Sequence, residues 1–146
     1  MKHRYSKRIF LIALLFVAGN GVLWACNYTF TLIDSQGTTQ GVQEGVPVSV
    51  TQDETYTLHI RYVENHRNCT VTPEETIFLL DGSRWRVQRD TQPLLLTAAP
   101  EWSQPAQRTH EADFIFQPQT AGPWNLEIVR VCDRGGYTGL LTFEVQ

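Results

Sequence analysis

From residue 26 onward the chain contains no lysine and no methionine. The basic side chains there are eight arginines against fifteen acids, a formal charge of −7. So acidic a stretch has no positive footprint for phosphates, which excludes nucleic acid as a partner. Anionic headgroups would repel it too, so membrane contact is not expected from the domain itself. Without a methionine, and with no histidine after Cys132, the ligand order of a blue-copper centre is missing. No CxxC occurs, which removes the common redox-disulfide motif. Neither GxSxG nor HExxH is present, so no catalytic residue is assigned, and neither enzyme activity nor a cofactor is expected. There is no low-complexity segment, internal repeat or second-domain boundary.

The first 25 residues have a different character. Lys2, Arg4, Lys7 and Arg8 precede the apolar run Ile9 to Val17, which Gly19, Asn20 and Gly21 break before Ala25. That order is a secretory signal peptide. The run is too short to span a hydrocarbon core, which takes about 20 residues. Leu23-Trp24-Ala25-Cys26 resembles the lipobox of bacterial lipoproteins, with an aliphatic residue three before the cysteine and a small one just before it. Trp24 departs from the small residue usual at its position. The resemblance implies cleavage before Cys26, acylation of that cysteine and anchoring in the bacterial cell envelope. Asn27, in place of a retention aspartate, implies the outer membrane, facing the periplasm. Several acyl chains, at about 0.8 kcal/mol per buried CH2, would hold a domain firmly on a bilayer. The alternative is ordinary cleavage after Ala25 and a secreted protein. Residues 1–25 thus read as a signal peptide and 26–146 as one domain, long enough for a real core.

If Cys26 carries lipid, Cys69 and Cys132 remain as a pair in an oxidising compartment, where a disulfide is the default. A bridge closing a loop of about 63 residues is worth roughly 4 kcal/mol in the chain-entropy model.

The domain reads as strands. Tyr56, Leu58, Ile60 and Tyr62 alternate with Thr57, His59 and Arg61, the period-two pattern of a half-buried sheet. Tyr28, Phe30 and Leu32 alternate likewise, as do Ala112, Phe114 and Phe116, then Trp124, Leu126 and Ile128, and finally Leu141, Phe143 and Val145. Val46–Val50 and Leu94–Thr97 are shorter strands. Thr76–Leu80 and Arg84–Val87 flank Asp81-Gly82, a strong hairpin signal. Pro100 to Gln107 is expected as a long loop. Seven to nine short strands predict an all-β antiparallel sandwich. Thr120-Ala121-Gly122-Pro123-Trp124-Asn125-Leu126-Glu127-Ile128 resembles the entry to the penultimate strand of immunoglobulin-like or fibronectin-like domains, with Trp124 in place of the usual tyrosine. That topology implies that Cys69 and Cys132 meet at one rim as a loop staple.

The stapled end gathers His66, Arg67, Asn68 and Cys69 with Asp133, Arg134, Gly135, Gly136 and Tyr137. Sandwich domains commonly bind through such loops. Arg67 and Arg134 suit bidentate contacts with a carboxylate or phosphate, and Tyr137 offers a flat surface. The expected partner is a protein, peptide or glycan. The alternative is a redox or metal-handling accessory in which His66, Cys69 and Cys132, with Asp133 as a further ligand, hold zinc or copper. His59 reads as a solvent-facing or satisfied sheet histidine, His110 as exposed, Glu74-Glu75 as a solvated turn and Trp102 as the best exposed aromatic. Asn27 and Asn68 begin glycosylation triplets that matter only in a eukaryotic host.

Overall fold

The computed structural model describes residues 26–67, 69–87, 89–132 and 135–146. The signal segment, with Leu23, Trp24 and Ala25, lies outside them, as do Asn68, Asp133 and Arg134. Eleven strands are named among the described residues: β1 (Cys26–Ile33), β2 (Thr39–Val42), β3 (Val48–Val50), β4 (Tyr56–Glu64), β5 (Ile77–Leu80), β6 (Ser83–Arg84), β7 (Leu94–Leu96), β8 (Ser103–Ala106), β9 (Thr109–Pro118), β10 (Gly122–Arg130) and β11 (Tyr137–Val145). One 3-10 turn, Pro73–Glu75, interrupts them. No helix among the described residues is long and apolar enough to cross a membrane.

The strands form two sheets. One runs β2-β1-β4-β9-β7, with β8 also on β9; the other runs β3-β11-β10-β5-β6. All pairings between named strands are antiparallel except β3 with β11, which is parallel. The period-two pattern sets the faces: Tyr56, Leu58, Ile60 and Tyr62 of β4 are all buried, as are Tyr28, Phe30 and Leu32 of β1. Aromatic rings from the two sheets meet between them. Tyr28 stacks on Tyr137 at 4.1 Å, Phe78 tilts against Phe114 at 4.4 Å, and Phe116 meets Phe143 edge-on at 5.4 Å. Burying each such ring is worth about 1.5–3 kcal/mol. This is an all-β, two-layer sandwich.

The Asp81-Gly82 hairpin forms, with φ of 44° and 77° at its two central residues. Those are the positive values that a two-residue type I′ turn demands, and Asp and Gly tolerate them. Two strands depart from expectation. Residues 103–106 are not loop but β8, paired to the start of β9 through Ser103↔Glu111 and Ala106↔Thr109 with an irregular register. β2 pairs beside β1. Both are edge strands with little buried side chain, only Val42 in β2 and none in β8, so neither carries an apolar alternation.

Candidate functional site

β4 and β10 end at the same rim of the sandwich. The inward alternation of β10, Leu126 and Ile128, continues into Arg130, and that of β4 continues past Tyr62 into Glu64. A charged side chain is therefore delivered to the interior from each sheet. Arg130 is 1% exposed. Its Nη1 donates to the Thr72 carbonyl at 2.8 Å and to Thr76 Oγ1 at 3.3 Å. Its Nη2 donates to the Val71 carbonyl at 2.6 Å and reaches Cys69 Sγ at 3.6 Å. Nη2 also lies 3.6 Å from Glu64 Oε1, and the guanidinium sits over the Tyr62 ring, 4.6 Å from its centroid. The segment from Cys69 to Thr76 is thus folded around one cation. Burial alone would lower the Arg130 pKa, but the neighbouring Tyr62, Tyr28 and Cys69 outweigh it and leave the group above its ordinary value. Burial pushes the Tyr28 and Tyr62 phenols well above the usual tyrosine range, with Arg130 opposing.

Cys26 and Cys69 lie beside this cation, and Cys132 lies beside Cys69. Cys26 is 1% exposed, and its side chain lies on the inward face of β1 with Tyr28 and Phe30. Burial raises its thiol pKa, and Arg130 pulls the other way. Cys69 and Cys132 are half-buried. A ring nitrogen of His66, Cys69 Sγ and Cys132 Sγ lie within 4.8 Å of one another. The His66 Nε2 to Cys132 Sγ distance is 3.4 Å. The sequence-expected meeting of the two cysteines at one rim is therefore present, and both are free thiols. Cys132 Sγ donates to the Gly135 carbonyl, and His66 Nδ1 lies 3.4 Å from the Arg67 carbonyl.

The other expected residues divide. The Arg67 side chain is exposed at this rim. Asp133 and Arg134 lie outside the described residues. Tyr137 is not the flat contact surface expected of it: it is 5% exposed, stacked on Tyr28 and donating to Glu44. It begins β11, so the strand's alternation turns its ring inward. Burial, then Glu44, pushes its phenol far up. His110 is not exposed either; it stacks on Tyr62 at 4.8 Å, with Nε2 3.4 Å from Glu64 Oε1. Trp102 is half-buried, edge-on to Tyr62 at 5.6 Å. With Phe78, Trp85 and Phe114 it lines a shallow groove that also carries Arg84 and Arg86. His59 faces outward and pairs with Asp113 at 2.7 Å, the satisfied sheet histidine expected.

The residues that organise this rim, Arg130 and Glu64, carry a signal that sequence reading passed over: each is a charged residue at the next inward position of an apolar alternation. No protein-family model, no curated protein and no solved structure matches the chain.

Proposed function

We propose that the chain is an extracytoplasmic, immunoglobulin-like accessory module that captures a protein, peptide or glycan partner with the rim where β4 and β10 end, around Arg67 and Cys132. The observation that carries this reading is the Arg130 cluster. It fastens the segment from Cys69 to Thr76 to the end of β10 and leaves Arg67 exposed beside it. A scaffolded loop with an exposed guanidinium suits recognition of carboxylate or phosphate groups. Two features support the immunoglobulin-like assignment. The sheet orders β1-β4-β9-β7 and β5-β10-β11 run parallel to the ABED and CFG sheets of that fold. The Trp124 indole also donates to the Thr120 carbonyl at 2.7 Å, the upstream backbone bond that a corner tyrosine makes in those domains.

The envelope address rests on the leader and the lipobox resemblance. Because the Cys26 thiol faces inward, acylation requires the first residue of β1 to swing out and give up its pairing with Glu64. The Cys69–Cys132 bridge belongs to this reading as the oxidised form of the loop end. Replacing Arg67 or Arg134 with alanine is expected to weaken capture of a partner from the host's envelope extract at least tenfold, with the thermal midpoint unchanged. Capture unaltered in both variants would remove the rim as the binding surface.

A further inference from the structure

The rim also carries a constellation that partner capture does not use. We propose that His66, Cys69 and Cys132, in the reduced protein, form a three-ligand site for a thiophilic cation, Zn2+ or Cu+.

The donor set comes first. Two thiolates and an imidazole are the ligands soft, closed-shell cations select, and two cysteines with one histidine and an open fourth position is a known zinc arrangement. Geometry agrees. With metal–sulfur bonds of about 2.3 Å and metal–nitrogen bonds of about 2.0–2.1 Å, a tetrahedron has sulfur–nitrogen edges near 3.6 Å and sulfur–sulfur edges near 3.8 Å. His66 Nε2 and Cys132 Sγ already stand 3.4 Å apart, and all three donor atoms fall within 4.8 Å. Side-chain movements of about 1 Å close the rest.

The surroundings are those of a prepared site. Metal-binding histidines usually donate their second ring nitrogen to a carbonyl or carboxylate, which fixes the tautomer. His66 Nδ1 faces the Arg67 carbonyl at 3.4 Å, leaving the Nε2 lone pair toward the sulfurs. Arg130 Nη2, 3.6 Å from Cys69 Sγ, supplies a hydrogen bond to a coordinated thiolate. Zn2+ with two thiolates is neutral, and beside it the Arg130 charge is answered by Glu64. All three ligands are half-buried, which keeps the fourth position open to solvent or to a partner's donor. Binding releases one proton from each thiol and transfers no electron.

The proposal shares the rim with the capture reading but needs no partner. The full chain, reduced and desalted under anaerobic conditions, would be titrated with Zn2+ and separately with Cu+ against a chromophoric chelator. One equivalent of either ion should bind. Cys69→Ser, Cys132→Ser and His66→Ala should each weaken binding by at least about tenfold, with thermal melts reporting that each variant folds. Cys26→Ser should leave affinity unchanged. Zinc-only or copper-only binding identifies the cation. No stoichiometric binding of either ion, or binding indifferent to Cys69→Ser and Cys132→Ser, overturns the proposal while leaving the Arg67 capture test untouched.

Discussion

Glu64 Oε1 and Arg130 Nη2 lie 3.6 Å apart, one from each sheet. The pair joins the layers of the sandwich at the rim where the thiols gather. The same guanidinium caps the carbonyls of Val71 and Thr72 and covers the Tyr62 ring. Removing one partner of a buried pair leaves the other uncompensated and costs about 3–5 kcal/mol. Arg130→Ala should therefore lower unfolding free energy by about 3 kcal/mol in urea titrations. Glu64→Gln should cost less, because the Gln oxygen and the Val71 and Thr72 carbonyls can still accept from Arg130. A double-mutant cycle should return a coupling of roughly 1–3 kcal/mol. A coupling near zero would mean the two side chains do not act together.

Gly136 sits where no side chain fits. A Cβ there would lie 2.1 Å from the Arg130 carbonyl oxygen, a backbone atom that cannot give way cheaply. Gly136→Ala should destabilise the domain by about 1–3 kcal/mol, the usual cost of overpacking. It should also disturb the Cys132–His66 geometry, read as broadened His66 NMR signals. A neutral Gly136→Ala would contradict this backbone path.

Trp124→Phe keeps an aromatic ring against the core but deletes the indole N–H to the Thr120 carbonyl together with part of the bicyclic ring. The expected loss is about 1 kcal/mol in chemical denaturation. No loss would deprive the corner bond of weight in the immunoglobulin-like assignment.

Asp34 closes the β1–β2 turn by accepting the amides of Thr38 at 2.8 Å and Gln36 at 2.9 Å. These bonds, the Thr38 amide foremost, hold its carboxyl below the usual aspartate value. A depressed folded-state pKa contributes stability above the unfolded value, near 3.9, and loses it as pH falls through the folded value. The Thr38 amide shift should therefore titrate with a midpoint below about 3.9. A midpoint at or above it would show that the turn bonds do not favour the carboxylate.

Most of the scaffold was legible because strands buried on one face write their period directly. Tyr56 through Tyr62 and the Asp81-Gly82 turn gave both faces and register. β2 and β8 were not legible, because edge strands such as Thr39–Val42 bury almost nothing and are held by backbone bonds alone. At the rim, the topology implied by the immunoglobulin-like resemblance already brought Cys69 and Cys132 to one end, with His66 three residues before Cys69. Tyr137 misled because an aromatic next to a glycine loop reads as exposed, whereas one residue of strand phase turns it inward. Arg130 was hidden by its type: a long cation at an inward position is visible only once Glu64 and the carbonyls of Val71 and Thr72 are seen around it.

The most direct measurement is metal-edge X-ray absorption on the reduced full chain loaded with the ion it binds. The first shell should hold two sulfurs and one imidazole nitrogen, near about 2.3 Å and about 2.0–2.1 Å where the ion is zinc. Cys69→Ser should remove one sulfur. A shell of oxygen and nitrogen without sulfur, or one unchanged in Cys69→Ser, would contradict the three-ligand site.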